Sequence, residues 1–201
     1  YKRQDPDDIW AVRSAGIDPS NGKELFYAKD GGYTYDFTYD DEVICGNTRP
    51  DVEGVIGTSL NWKGFSVSLN FRYQMGADVF NEALYNKVEN ISRSDLNKNQ
   101  DKRALYERWQ EVGDIVHFKD IASAETTPMS SRFVQEENVL TLESIYVGYE
   151  FYDGWIKKIG LSSLKIQASM RDVFRASTIR SERGIAYPFA RSMEAGLSFN
   201  F

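Results

Sequence analysis

Five stretches of the chain alternate apolar and polar residues with a period of two. That is the pattern of a strand with one face in an apolar medium and the other in water. Val52–Trp62 places Ile56, Thr58, Leu60 and Trp62 on one face. Residues 65–75 set Phe65, Val67, Leu69, Phe71, Tyr73 and Met75 against Ser66, Ser68, Asn70, Arg72 and Gln74. In 139–151, Ile145, Val147, Tyr149 and Phe151 oppose Ser144, Tyr146, Gly148 and Glu150. In 163–174, Leu164, Ile166, Ala168 and Met170 oppose Ser163, Lys165, Gln167, Ser169 and Arg171. Residues 191–201 set Met193, Ala195, Leu197, Phe199 and Phe201 against Ser192, Glu194, Gly196, Ser198 and Asn200.

The connections alternate as well. Lys63-Gly64 is a two-residue hairpin turn, with glycine supplying a positive φ. A modest turn around Asp153-Gly154 joins the third and fourth strands, whereas 76–138 and 175–190 are long. Short turns on one side and long loops on the other describe an antiparallel barrel in an outer membrane, with the short turns periplasmic. A soluble sandwich also alternates, but three features favour the membrane. Arg72, Lys165, Arg171 and Glu194 sit in mid-strand on the polar faces, as a wet lumen allows. Trp62, Phe65, Phe151, Trp155, Phe199 and Phe201 cluster at one end as an aromatic girdle. From Phe65 to Tyr73, at ~3.3 Å per residue and a tilt of about 40°, the rise is about 20 Å, close to the apolar band of such barrels.

The expected fold is therefore all-β: the last five or so strands of a transmembrane antiparallel β-barrel, with long, partly helical extracellular loops. Residues 1–51 form an extracellular loop region with room for a strand. Residues 52–201 hold the barrel strands, with an extracellular loop over 76–138 and a closing strand over 191–201. Five strands cannot close, since the smallest bacterial barrels have about eight, and an open edge in lipid leaves backbone groups unpaired. The chain is expected to complete a barrel begun by other polypeptide.

Composition adjusts this picture little. Of the 201 residues, 41% are hydrophobic and 27% charged, and mean hydropathy is -0.50. A barrel whose strands alternate is hydrophilic on average, so these values do not oppose a membrane location. The net charge of -6 argues against nucleic acid as a partner. One cysteine, Cys45, and one histidine, His117, leave no disulfide and no Cys/His constellation for metal or nucleophilic chemistry. No paired acids or glycine-rich phosphate loop point to catalysis, and no enzyme is expected. Segments 79–88 and 101–112 have helical character. Asp95, Asn97, Asn99 and Asp101 alternate like the start of a calcium loop. However, Gln100 stands where glycine is required and Tyr106 where the bidentate glutamate belongs. A polar surface loop is the better reading, and no cofactor is expected.

Taken in order, several motifs resemble the C-terminal portion of the SusC/RagA-type TonB-dependent transporters of the Bacteroidota. They are Gly16-Ile17-Asp18-Pro19-Ser20-Asn21-Gly22, Gly46-Asn47 with Pro50, Lys63-Gly64-Phe65, Arg108-Trp109 followed by Gly113-Asp114, Ser131-Arg132-Phe133-Val134 before 140–145, Arg171-Asp172-Val173-Phe174, and Tyr187-Pro188 ahead of the terminal strand. Val112, Glu143, Gly54-Val55 and Arg171-Asp172 depart from the family pattern. The resemblance implies a 22-stranded barrel in the bacterial outer membrane, plugged by a domain outside this chain. It implies energising by the TonB complex through that missing part, a SusD-like surface lipoprotein as partner, and import of oligosaccharides or peptides. It makes Phe199 and Phe201 the signal read by the barrel-assembly machinery. Arg72, Tyr146 and Arg171 face the expected lumen, and Trp109 is aromatic and able to stack on a sugar. These four are the candidate substrate-binding residues.

Two other readings stay open: a passive porin or structural barrel, and a β-rich secreted binding module. The module would be recovered as a soluble monomer without detergent. If the terminal aromatic is an assembly signal, Phe201→Ala lowers the amount of folded barrel in membranes, measured by heat-modifiable gel mobility; unchanged levels would count against that role.

Overall fold

The computed structural model describes residues 5–120, 122–123, 125–152, 154–180 and 191–201. The chain divides into two compact units. The first takes its described residues from 5–50, 77–137 and 179–180; the second from 51–76, 138–178 and 191–201.

The first unit begins with five short strands: β1 (Asp8–Val12), β2 (Ser14–Ile17), β3 (Glu24–Tyr27), β4 (Tyr33–Thr34) and β5 (Glu42–Asn47). β1 pairs with β5, and β2-β3-β4 form a three-stranded meander, all antiparallel. More strand is present here than the single one allowed for in 1–51. The hydrophobic centre of the unit is Leu84, Val88, Ala104, Phe118 and Phe133, with Phe80, Tyr85 and Ile91 packed against it.

The second unit is built on β6 (Val52–Trp62), β7 (Phe65–Phe80), β8 (Val134–Phe151), β9 (Ser163–Ser177) and β10 (Ser192–Asn200), in the order β10-β9-β8-β7-β6, with the tips 77–80 of β7 and 134–137 of β8 counted in the first unit. All five expected strands are present. The register joins like to like: Trp62 faces Phe65, Leu60 faces Val67 and Ile56 faces Phe71. Further along, Tyr149, Ile166 and Leu197 form one row, and Val147, Ala168 and Ala195 the next. Because opposed residues in an antiparallel pair share a face, the apolar residues make one continuous sheet face. That face is open: Ile56 is 59% and Leu197 61% exposed. Scattered exposed apolar residues are ordinary, but a contiguous face of this size requires an apolar environment or partner. The separate small core of the unit is Ile156, Leu161 and Leu164.

At the Lys63-Gly64 turn both residues have positive φ, 47° and 85°. A side chain on Gly64 would collide with the Glu150 carbonyl, while Gly64 accepts a backbone bond from Glu150 at 2.8 Å. The turn between β8 and β9 contains a helical turn, Trp155–Lys158; Asp153, expected within it, lies outside the described residues, as do 181–190 of the last long connection.

Three boundaries differ from the pattern-based reading. β7, β8 and β9 run beyond 75, before 139 and beyond 174. In β7 the extension Gly76–Phe80 is half-buried throughout; where neither face is left to solvent, alternation is not demanded. Helix was expected over 79–88, but strand persists to Phe80 and the helical segment follows Asn81, whose side chain accepts from the Leu84 N–H at 3.0 Å. Of 101–112 only Arg103–Tyr106 is helical. Beyond it, Trp109 donates to the Phe118 carbonyl and Phe118 to that of Glu107, both 3.0 Å, which draws the chain out of the helix. Among the described residues no helix is long and apolar enough to cross a membrane.

If the apolar face meets lipid, Leu69→Lys costs about 2–4 kcal/mol near the bilayer centre, whereas a lysine on the other face is tolerated. Equilibrium unfolding in lipid vesicles should separate Leu69→Lys from Ser68→Lys; equal effects would place both faces in the same medium.

Candidate functional site

The polar face of the five-stranded sheet is laced by side-chain bonds. Ser66 donates to the Gly148 carbonyl at 3.4 Å and Asn70 to Ser144 at 2.9 Å. Tyr146 donates to Gln167 at 3.0 Å, and the Lys165 ammonium lies 5.8 Å from the Tyr146 ring centre. Arg72 binds Glu143 at 2.5 Å. Strict alternation would put Glu143 on the apolar face with Ile145. Across from it the register shifts: Glu143 alone lies between Leu142 and Ser144, while Asp172 and Val173 lie between their partners Arg171 and Phe174, so β9 carries the extra residue, and Asp172 takes a positive φ of 51°. The bulge in β9 locally strengthens the twist beside Glu143, and the carboxylate meets Arg72 on the neighbouring strand. The Arg72–Glu143 pair is part-exposed, so it acts chiefly by fixing the guanidinium.

Of the four candidate binding residues, three share this face. Arg171 is exposed and opposes Ser144 on one side and Ser192 on the other. Tyr146 is two residues from Ser144, and Arg72 reaches the adjacent Glu143. Trp109 belongs to the other unit and has a different task. Its indole N–H donates to the Pro19 carbonyl at 3.0 Å, and its ring covers Gly22, where a Cβ would come within 2.6 Å. Asp18 anchors the same segment. Its carboxylate accepts from the Tyr35 hydroxyl and the Ser20 N–H, contacts that hold it below the usual carboxylate range, the tyrosine bond most. The ring of Trp109 is thus committed to the turn at 18–22.

The first unit also holds a buried ionic network that the sequence reading did not assemble. Arg132 donates to Glu24 at 2.8 Å and to Glu89 at 2.7 Å, and lies over the Phe133 ring at 4.6 Å. Burial works against its charge, but the two carboxylates more than offset this and raise its pKa. Glu89, 1% exposed, also accepts from the Thr127 hydroxyl at 2.8 Å. Arg108 donates to the carbonyls of Ala104, Lys119 and Glu89 at 2.8, 3.0 and 3.3 Å. The Lys119 ammonium donates to the Asn90 side chain at 3.3 Å and to the Glu125 carbonyl. Burial, above all, lowers the pKa of both Arg108 and Lys119. No described group of three or more His, Cys, Asp or Glu is arranged to hold a metal. Asp95 is engaged by Lys98 at 2.7 Å and Asp101 by Arg103 at 2.5 Å.

No protein-family model matches the chain. It is 24% identical over 171 residues to TonB-dependent receptor P39 of Formosa agariphila, covering 83% of this chain and 16% of that protein. It is 24% identical over 159 residues to TonB-dependent receptor P3 of the same organism, covering 79% and 15%. Among solved structures it superposes on the RagAB peptide importer in the open-open state with a TM-score of 0.75 at 18% identity, over 96% of this chain and 22% of that one. The closed-closed state gives 0.74, over 96% and 23%. The fold is that of a barrel segment of a TonB-dependent transporter. The transporter resemblance read from the motifs agrees with these matches. The chain spans about a sixth of the length of the curated receptors and about a fifth of the matched importer chain.

In this barrel segment, Phe199 sits in register opposite Leu164, and Phe201 is 92% exposed at the end of β10. Glu143, Asn70 and Gln167 were missed as polar-face partners. Period-two reading finds Asn70 and Gln167 but groups Glu143 with Ile145, because its ion pair with Arg72 on the neighbouring strand leaves no mark on the alternation. Arg108 and Arg132 were noted in motifs without their partners, Glu89 and Glu24, which lie 19 and 108 residues away.

Removing one member of a buried, bonded ion pair costs about 3–5 kcal/mol. Glu89→Gln is therefore expected to expose 77–137 to limited proteolysis at temperatures where the wild type resists; unaltered resistance would show that the network contributes little.

Proposed function

We propose that this chain supplies C-terminal strands and two loop assemblies to an outer-membrane importer of oligosaccharides or peptides, coupled to TonB. The observation that carries this reading is the two-faced sheet. One face is apolar, continuous and open, the other polar and cross-bonded, and both edge strands, β6 and β10, await partners. Hydrocarbon solvates only the first face and cannot satisfy the edges, so the sheet belongs within a larger closed barrel. In that barrel the apolar face meets lipid, and Arg72, Tyr146 and Arg171 line the lumen. The first unit forms extracellular loops, and Phe199 and Phe201 mark the end recognised during barrel assembly. Likeness to the RagAB peptide importer supports active uptake and a SusD-like lipoprotein as partner. The chain acts in transport, not catalysis, and needs no metal at Asp95–Asp101.

Uptake decides between this reading and a passive pore. Deleting the gene that encodes the chain should abolish growth on one glycan or peptide mixture, and removing TonB should do the same. Growth that survives loss of TonB but not loss of the gene would assign a passive pore. Unaffected growth on every nutrient tested would end the transport reading.

A further inference from the structure

We propose that the cavity beside Arg108 and Lys119 is a binding subsite for a carboxylate-bearing ligand, and so that the cargo of this transporter segment is acidic. The second half rests on the import reading above; the first does not.

The cavity has a volume of about 730 Å³ and lies wholly within the first unit. That is within the range of roughly 300–1,000 Å³ usual for small-ligand sites. Its wall carries Arg108 and Lys119, only 5% and 9% exposed, with Arg93 beside them. Buried charges in proteins are normally paired with an opposite charge. The buried network holds three cationic heads, Arg108, Lys119 and Arg132, and two carboxylates, Glu24 and Glu89. Both carboxylates bind Arg132. The side-chain hydrogen bonds of Arg108 and Lys119 run to neutral oxygens. Glu89, more than Asp120 and Glu125, favours these cations through space, and Asp120 already accepts from the Ala122 N–H.

The cavity wall carries three cations, Arg93, Arg108 and Lys119, against two carboxylates, Glu89 and Glu125, and Glu89 is already bound to Arg132, so the wall is one negative charge short. A monoanionic carboxylate supplies that charge, and Arg and Lys donors suit it. Asn86 and Ser123, also in the wall, offer hydrogen bonds to hydroxyl or amide groups of the same molecule, and Leu96 an apolar contact. Burial holds the Lys119 pKa down, so its cationic form costs the folded state stability. The sign follows: stability contributed at this position rises as pH climbs through the lowered folded-state pKa and levels off above the ordinary lysine value. A residue that costs stability and faces a cavity fits a binding role better than a structural one.

The test uses the complete barrel containing this chain, purified in detergent. Calorimetry with tetragalacturonate, tetraglutamate, maltotetraose and tetra-alanine distinguishes an acidic sugar from an acidic peptide. One acidic ligand is expected to bind at least tenfold more tightly than its neutral counterpart. Lys119→Gln should reduce that preference to within twofold, and Lys119→Arg should keep it. Lys119→Gln should leave the thermal midpoint equal or higher, which a structural role would not. Ser123→Glu, at an exposed point of the wall, places a carboxylate in the cavity and should weaken acid binding without touching the network. Equal affinity for acidic and neutral ligands, no binding of either acid, or a preference that survives both Lys119→Gln and Ser123→Glu would overturn the subsite. Acid binding lost on Lys119→Gln, together with growth independent of TonB, would sink the import reading and leave the subsite standing.

Discussion

The pairing of backbone donors and acceptors governs the five-stranded sheet. Each peptide unit brings a donor and an acceptor that hydrocarbon cannot satisfy, and a strand meets the demand only through its neighbours. The ladder from β6 to β10 does so for the inner strands and leaves two edges. Everything else in the second unit is consistent with that arrangement. Apolar residues fall in rows because the ladder aligns them, polar ones find partners across strands for the same reason, and the turns are tight where pairing must begin at once. Among the described residues the outer sides of β6 and β10 have no strand beside them, so the ladder is complete only for the three strands between.

The first unit answers a different constraint. With a small apolar core, it gains definition from charges placed where water is scarce. Arg132 ties Glu24 of β3 to Glu89 of the helical segment, and Arg108 gathers three carbonyls from separate stretches. Such networks contribute less to net stability than to uniqueness, since any alternative packing strands a charge. A unit whose own sheets have only two and three short strands has reason to be built in this way.

Most of the second unit was legible in the residues. The turn at Lys63-Gly64 and the strand Val52–Trp62 come directly from periodicity and glycine, because one face of the sheet differs in medium from the other and composition records the difference. The strand extensions were not legible, since Gly76–Phe80 is half-buried on both faces and has no alternation to display. Nor were the lengths of the helical segments: propensity over 101–112 is overridden at Arg108, whose guanidinium is held inside by tertiary contacts. The roles of Arg72 and Tyr146 as members of one polar face were visible, but their partners were not. Trp109 shows the limit most plainly. An aromatic in a loop reads the same whether it awaits a ligand or covers a glycine 87 residues earlier, and only the approach to Gly22 tells them apart.

The bulge in β9 has a consequence for how such strands diverge. Substitution can change a residue of the polar face only one at a time and in place. Insertion of a single residue into a strand does something else. It exchanges the two facing sets along one stretch while the stretch on the other side of the bulge keeps its phase. A length change of one can therefore move a whole run of side chains between faces without altering any of them. Counted by strict alternation, Arg175 joins Arg171 on the polar face; counted from the bulge at Asp172 and Val173, Phe174 takes that face, in register with Leu142.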